Sequence, residues 1–408
     1  MVSITQTARL GHSTRNEAWV ALGLSIGAAV SLGFSRFAYA LLLPPMREAL
    51  HWNYVQAGSL NTANAVGYAL GSLAAAGLSR RFGIKAAFMW SLGASALALM
   101  LSGLVDSYGA LWLLRAIGGV STAVLYIVGA SLSSGIGREG ASPQQSARLV
   151  AIYITGVGSG IVISGLLVPS ILAASGPQGW HSGWIWMGAL SMALLAVAGV
   201  ALKAVPPQFA RDSGLLPLRE ARRLWPTFAS FALYAAGYVS YMTYIVLLLR
   251  QQGGSAALSA LFWIVLGIAS IAGTLLWGRV LARVRDGRGP AIVSVVVMLG
   301  ALPVLLWPTL QAAFVSAIVF GGSFMAGPSA VTTLVRKLSA PQLATAAIAA
   351  MTVAFGLGQA FGPLLSGLIS DGTGSITAGL WTAPALLVLA ALIAPLQRTS
   401  NSTLHRPQ

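Results

Sequence analysis

Cysteine is absent from the chain, which rules out disulfides and thiolate metal centres. Charge is scarce as well: Asp, Glu, Lys and Arg together make up 8% of the 408 residues, where an ordinary soluble domain carries about a quarter. Only eight carboxylates occur, and Glu17, Glu48, Asp106, Glu139, Asp212, Glu220, Asp286 and Asp371 all fall in loops or at the ends of apolar runs. The four histidines also lie outside those runs. A metal centre is therefore not expected, and neither is the usual intramembrane proton carrier. No G-x-x-x-x-G-K-[ST] segment occurs, so no ATP-driven step is built in. A membrane-embedded enzyme would need clustered His, Asp or Glu near a membrane face, and the scattered histidines speak against one. No cofactor is expected.

What the chain has instead is apolar length. Hydrophobic residues make up 56%, distributed as twelve runs long enough to span a bilayer. The fold class expected is an all-α integral membrane protein with twelve transmembrane helices in two six-helix bundles. Residues 1–17 read as a loosely ordered polar tail, 18–205 as the first bundle, 206–223 as a linker, 224–395 as the second bundle and 396–408 as a polar tail. The first run, Trp19 to Pro45, is too long for a signal-peptide core and reads as a retained span. It should end at Pro44–Pro45, which cannot comfortably continue a helix. Span two is expected at about 57–78 and span four at about 108–136. Trp180 and Trp184 suit an aromatic belt where span six begins.

The formal charge of +16 would suggest nucleic acid in a soluble chain. Here 20 of the 24 basic residues fall in loops on the side of the two termini and two, Arg47 and Arg250, on the other. By the positive-inside rule both termini are expected in the cytoplasm, with the lipid bilayer rather than nucleic acid as surroundings.

The halves echo each other. Gly71-Ser72-Leu73 corresponds to Gly273-Thr274-Leu275, and Gly33-Phe34 to Gly237-Tyr238. Such internal symmetry is what transporters built from repeats show.

Three kinds of segment carry a family likeness. Ala76 to Lys85 reads AGLSRRFGIK, Arg115 is followed by Gly118-Gly119, and the runs GFSRFAYALLLPPM, GVGSGIVISGLLVP and GLGQAFGPLLSG lie in spans one, five and eleven. The chain resembles the major facilitator superfamily over essentially its whole length, and within it the bacterial YbfB-type branch. The superfamily turn after span two usually reads Gly-x-Leu-Ala-Asp-Arg-x-Gly-Arg-Lys. Arg81, Gly83 and Lys85 match it, but Arg80 stands where the acidic residue normally does. The resemblance implies alternating access, with spans one, four, seven and ten lining a central cavity.

Two charges remain inside the spans, Arg36 and Arg115. Arg36 lies eight residues before Pro44, about 12 Å from the end of its span, and Arg115 lies seven residues after Tyr108. An ionisable group at that depth marks a functional candidate. The resemblance lets both arginines face one chamber, where guanidinium forks would favour a carboxylate or phosphate. For Arg36 the alternative is snorkelling toward headgroups; for Arg115 it is a structural role. Asn61 and Asn64 read as interhelical donors or as ligands. Tyr234, Tyr238 and Tyr241 share one face of span seven, as a cavity wall or as packing. Gln359 is a further candidate. The expected gating or hinge set is Arg81, Gly83, Lys85, Gly160, Gly165, Gly362 and Pro363. The function expected is transport of a small organic anion by a monomer, by exchange, by facilitated diffusion or with a proton on the substrate or on rim carboxylates such as Asp106 or Asp371. Proton-coupled efflux of drug-like or apolar metabolites is the second reading.

Overall fold

A chain in lipid must satisfy its backbone polar groups within itself, and long apolar runs with short polar breaks do so as helices. The computed structural model describes residues 3–136, 142–207, 216–284 and 286–398, the side chains of residues 3–15 and of Pro143, Pro177 and Pro341 excepted. Arg138, Glu139, Arg211, Asp212, Arg285 and the tail from 399 lie outside the described residues. Helix α1 runs as Ser3–Ala28, a π-helical segment Ala29–Phe37, and Tyr39–Ala49. Then follow α2 (Tyr54–Phe82), α3 (Ile84–Ser102), α4 (Tyr108–Ser134), α5 (Pro143–Ser175) and α6 (Gly179–Lys203). A short linker helix, Leu218–Arg223, precedes α7 (Trp225–Gln251), α8 (Ala256–Arg283) and α9 (Arg288–Leu306). Helix α10 is split into Leu310–Phe324 and Ala326–Leu338, α11 is Pro341–Thr373, and α12 is split into Ile376–Leu380 and Thr382–Ile393.

Three expectations change. The polar N-terminal tail is helical from Ser3, so α1 starts well before its apolar part. The prolines at 44 and 45 do not end α1, which continues to Ala49. A helix newly started at Tyr39 meets Pro44 only in its second turn, where the missing N–H groups free the carbonyls of Ala40 and Leu41 without stopping the chain. Among the described residues eleven helices are apolar enough to span by length and composition; the twelfth, α2, is longer than expected but more polar, carrying Gln56, Asn61, Thr62 and Asn64. It packs on α4 and, across the molecule, on α11. With protein on two sides, it does not need an all-apolar surface.

Enclosure follows the order of the spans. Between 56% and 89% of the most apolar stretch is buried in α1, α4, α7 and α10, against 28–50% in the other seven apolar spans. Those four are the most enclosed of the apolar spans.

Glycines show how the halves repeat. A Cβ on Gly71 would strike the Val120 carbonyl, and one on Gly273 the Gly322 carbonyl; Gly119 lies against Asn64, and Gly321 against Leu266. All four equivalences have one offset, 202 residues (71 to 273). The same offset relates α5 to α11. Gly156 and Gly160 press α5 on α1, as Gly358 and Gly362 press α11 on α7. Gly165 touches α8 across the bundle boundary, as Gly367 touches α2. Small residues at i and i+4 let backbones meet. The pairing of Gly33 with Gly237 is not part of this pattern: Gly33 meets Gly160 of α5, whereas Gly237 meets Ala383 of α12.

Candidate functional site

The π segment of α1 positions the first arginine. Its wide turn is visible where the Ala38 N–H donates to the Gly33 carbonyl at 3.0 Å, a five-residue step. Arg36, in the last turn of the segment, is only 3% exposed, so it does not snorkel. Its guanidinium lies 5.2 Å from the ring centre of Tyr68 on α2, within electrostatic reach of Tyr238 on α7. Its Nη1 is buried with no hydrogen-bond partner.

Arg115 is held quite differently. Its Nη1 donates to the Ser35 carbonyl within the π segment, and its Nη2 donates to Asn61 Oδ1 at 3.0 Å, while its Nε is buried without a partner. The guanidinium carbon lies 5.1 Å from the ring of Tyr39 and 5.4 Å from that of Trp184, and the two rings are themselves stacked 6.3 Å apart. Trp184 is therefore no belt residue. With Trp180 it is fully buried, because its indole covers a cation and its Nε1 donates to Met46 Sδ at 3.4 Å. Among the described residues neither arginine makes an ion pair, and each lies within electrostatic range of the other.

The asparagines divide the same way. Asn61 accepts from Arg115 and donates to Thr243 Oγ1 of α7 at 2.7 Å, linking the bundles. Asn64 donates to the Arg115 carbonyl at 3.2 Å, and its Oδ1 is unpartnered. The tyrosines of α7 also part company. Tyr234 donates to the Phe324 carbonyl at 2.5 Å, and Tyr241 pairs with Ser316, both on α10. Tyr238 accepts from Gln359 Nε2, leaving the Gln359 Oε1 buried without a partner. Arg36, Tyr68, Tyr238 and Gln359 thus converge across the bundle boundary. Tyr68 was not among the sequence candidates, although Asn61, Asn64 and Tyr68 fall at i, i+3 and i+7 on one face of α2. Thr243, Tyr39 and Trp184 carried no sequence signal beyond their burial.

The expected gating residues hold helix ends and crossings. Lys85 Nζ donates to the Val205 carbonyl at 2.6 Å, just past the end of α6. Gly83 has φ of +86°, which favours glycine and turns the chain sharply between α2 and α3. Arg81 lies over the Phe82 ring. Pro363, inside α11, leaves its carbonyl to accept from Tyr244 at 3.1 Å.

On the face opposite the termini the bundles are latched. Asp371, near the end of α11, accepts from the Tyr54 and Val55 N–H groups at 2.8 and 2.9 Å. With Asn53 accepting from Gln56, the first three N–H groups of α2 are all satisfied, two of them from the other bundle. Tyr244 donates to the Tyr54 carbonyl at 2.8 Å, and Gln251 donates to the Tyr54 hydroxyl at 3.0 Å. Asp106, the other rim carboxylate, meets His181 at 2.7 Å.

The comparisons agree with this architecture. Residues 28–395 match the family model described as "Uncharacterised MFS-type transporter YbfB". The chain is 26% identical over 278 residues to the MFS-type transporter YceJ of Bacillus subtilis (strain 168), covering 66% of this chain and 68% of that one. It is 25% identical over 394 residues to a chloramphenicol resistance protein of Streptomyces lividans, covering 92% and 95%. Among solved structures, the nucleoside transporter NupG superposes with a TM-score of 0.70 at 16% identity, covering 94% and 97%. A bacterial homologue of the lysosomal transporter Spinster, in an inward-facing conformation, superposes with a TM-score of 0.67 at 17% identity, covering 93% and 96%. With the twelve-helix fold and its doubled bundle in place, the chain belongs to the YbfB-type family of major facilitator superfamily transporters.

Proposed function

We propose that this transporter moves small organic anions by alternating access, as a monomer in the bacterial inner membrane with both termini in the cytoplasm. The observation that carries the reading is Arg36: a guanidinium buried at the bundle boundary, without an ion pair and with Nη1 unpartnered. A buried, unsatisfied charged donor is costly to the folded protein. An anionic substrate would offset that cost, and Arg supplies a fork suited to carboxylate or phosphate. Arg115, whose donors are largely committed, supports the same positive field rather than binding directly. Asn61, Asn64 and Tyr241 serve as scaffold in this reading, and Tyr238 and Gln359 as substrate contacts.

The latched face is the extracellular one in this orientation, and Arg36, Tyr238 and Gln359 are each at most 3% exposed, so substrate reaches the site when the bundles part. Rocking would break the Asp371 and Tyr244 contacts at one face while α5 and α11 pivot at Gly160, Gly165, Gly362 and Pro363, with the Arg81–Lys85 turn moving as the other face closes. No carboxylate or histidine sits mid-membrane to carry a proton, so exchange or facilitated diffusion is favoured.

Uptake into proteoliposomes of labelled benzoate, succinate and a phosphate monoester tests this. At least one anion should be transported, and Arg36→Gln should lower its rate at least tenfold while Tyr241→Phe leaves most of it. The relationship to a chloramphenicol resistance protein favours a second reading, export of drug-like compounds. Chloramphenicol transport that survives Arg36→Gln, with no anion transported, would establish that one instead.

A further inference from the structure

Resting on the organic-anion reading, we infer that the site selects aromatic carboxylates, preferring those with a ring hydroxyl or N–H. Tyr238 of α7 lies within electrostatic reach of Arg36. Tyr238 is surrounded by rings of its own bundle: Tyr234 at 5.6 Å, Phe324 at 5.9 Å and Phe355 at 5.8 Å between centroids, the last nearly parallel. This wall joins α7, α10 and α11. From the first bundle a single ring reaches it among the described aromatic contacts: Phe37, edge-on to Phe324 at 5.5 Å and 82°. Phe37 is the neighbour of Arg36 in the chain. The cation and the aromatic edge of α1 therefore arrive together at an aromatic surface of the opposite bundle.

A substrate ring can replace the Phe37 edge against that surface when the bundles part, because aromatic pairs favour stacked or edge-on contacts over aliphatic ones. Its carboxylate then meets the unpartnered Nη1 of Arg36. The third feature is Gln359 Oε1, an acceptor on a side chain 1% exposed whose amide nitrogen is already bound to Tyr238. It lacks a donor, and a phenolic hydroxyl or ring N–H supplies one. Cation, ring surface and acceptor together describe a planar acid with a donor on its ring. An aliphatic dicarboxylate uses only the first of the three.

Counterflow into proteoliposomes loaded with 4-hydroxybenzoate tests the inference, with 4-hydroxybenzoate, benzoate, cyclohexanecarboxylate and 4-hydroxybenzamide as competitors. Cyclohexanecarboxylate should compete about two- to tenfold more weakly than benzoate, the range that an aromatic contact is worth. 4-Hydroxybenzoate should compete better than benzoate, and the amide should not compete. Gln359→Leu should abolish the advantage of the hydroxyl while benzoate still competes. Phe355→Leu should narrow the gap between benzoate and cyclohexanecarboxylate; both variants are first checked for monodispersity in detergent. Equal competition by cyclohexanecarboxylate and benzoate overturns the aromatic selectivity and leaves the anion reading standing. An amide that competes as well as the acid overturns the anion reading itself. Absence of any exchange or thermal stabilisation with aromatic acids at millimolar concentration overturns the inference as well.

Discussion

At the scale of single residues, two arginines at similar depth do opposite work. Arg115 uses the geometry that distinguishes Arg from Lys, with two N–H groups fixed on Ser35 and Asn61 and its guanidinium lying against the stacked rings of Tyr39 and Trp184. A lysine there can keep one of those bonds, and a hydrogen bond to a charged group is worth about 1.5–3 kcal/mol. Arg115→Lys is therefore expected to lower the melting temperature of the detergent-solubilised protein by several degrees. Arg36→Gln should behave in the opposite way, removing an unpartnered buried charge and leaving the melting temperature equal or higher while transport falls. A drop in stability for Arg36→Gln as large as that for Arg115→Lys would show Arg36 to be structural. The presence of both residues was legible as two charges in apolar runs. Their different roles were not, because partners on α1, α2 and α6 lie 51 to 80 residues from Arg115 in sequence where hydrogen bonds form, and local spacing carries no trace of them.

At the scale of elements, α1 and α2 hold what spacing rules could not supply. The π segment lies against Gly160 of α5 through Gly33, and α2 has protein partners on two of its sides. The latch at the start of α2 is an element-scale device with its own test. A carboxylate at a helix N-terminus contributes about 0.3–1 kcal/mol, and up to about 2 kcal/mol when partly buried. Because the chain has no cysteine, Ala57→Cys gives a single thiol in the first turns of α2, at a position buried in the latched state. Adding Asp371→Asn should raise its labelling by a membrane-impermeant maleimide, between about twofold and about thirtyfold for that range of energies. Unchanged labelling would mean that Tyr244 and Gln251 hold the face closed without the carboxylate.

At the scale of the whole molecule, repetition and charge asymmetry are the governing features. One offset, 202 residues, relates the α2–α4 crossing to the α8–α10 crossing and the close-packed glycines of α5 to those of α11, and both boundary pairs, α5 with α8 and α2 with α11, use one of those glycines. The basic loops give the molecule its expected orientation. Green fluorescent protein fused after Gln397 should fluoresce, and alkaline phosphatase at the same place should be inactive; the reverse pair would turn the proposed orientation over, and with it the assignment of the latched face. The sequence alone determined that this is a twelve-helix membrane protein of a transporter family, because hydropathy, loop charge and glycine spacing are local quantities that the bilayer reads directly. Only the tertiary structure decided which arginine is held by hydrogen bonds and which is not, that two tryptophans are core rather than belt, and that an aspartate near the end of α11 caps the helix of the opposite bundle. Those outcomes depend on distances between residues far apart in the chain, which packing sets and periodicity does not.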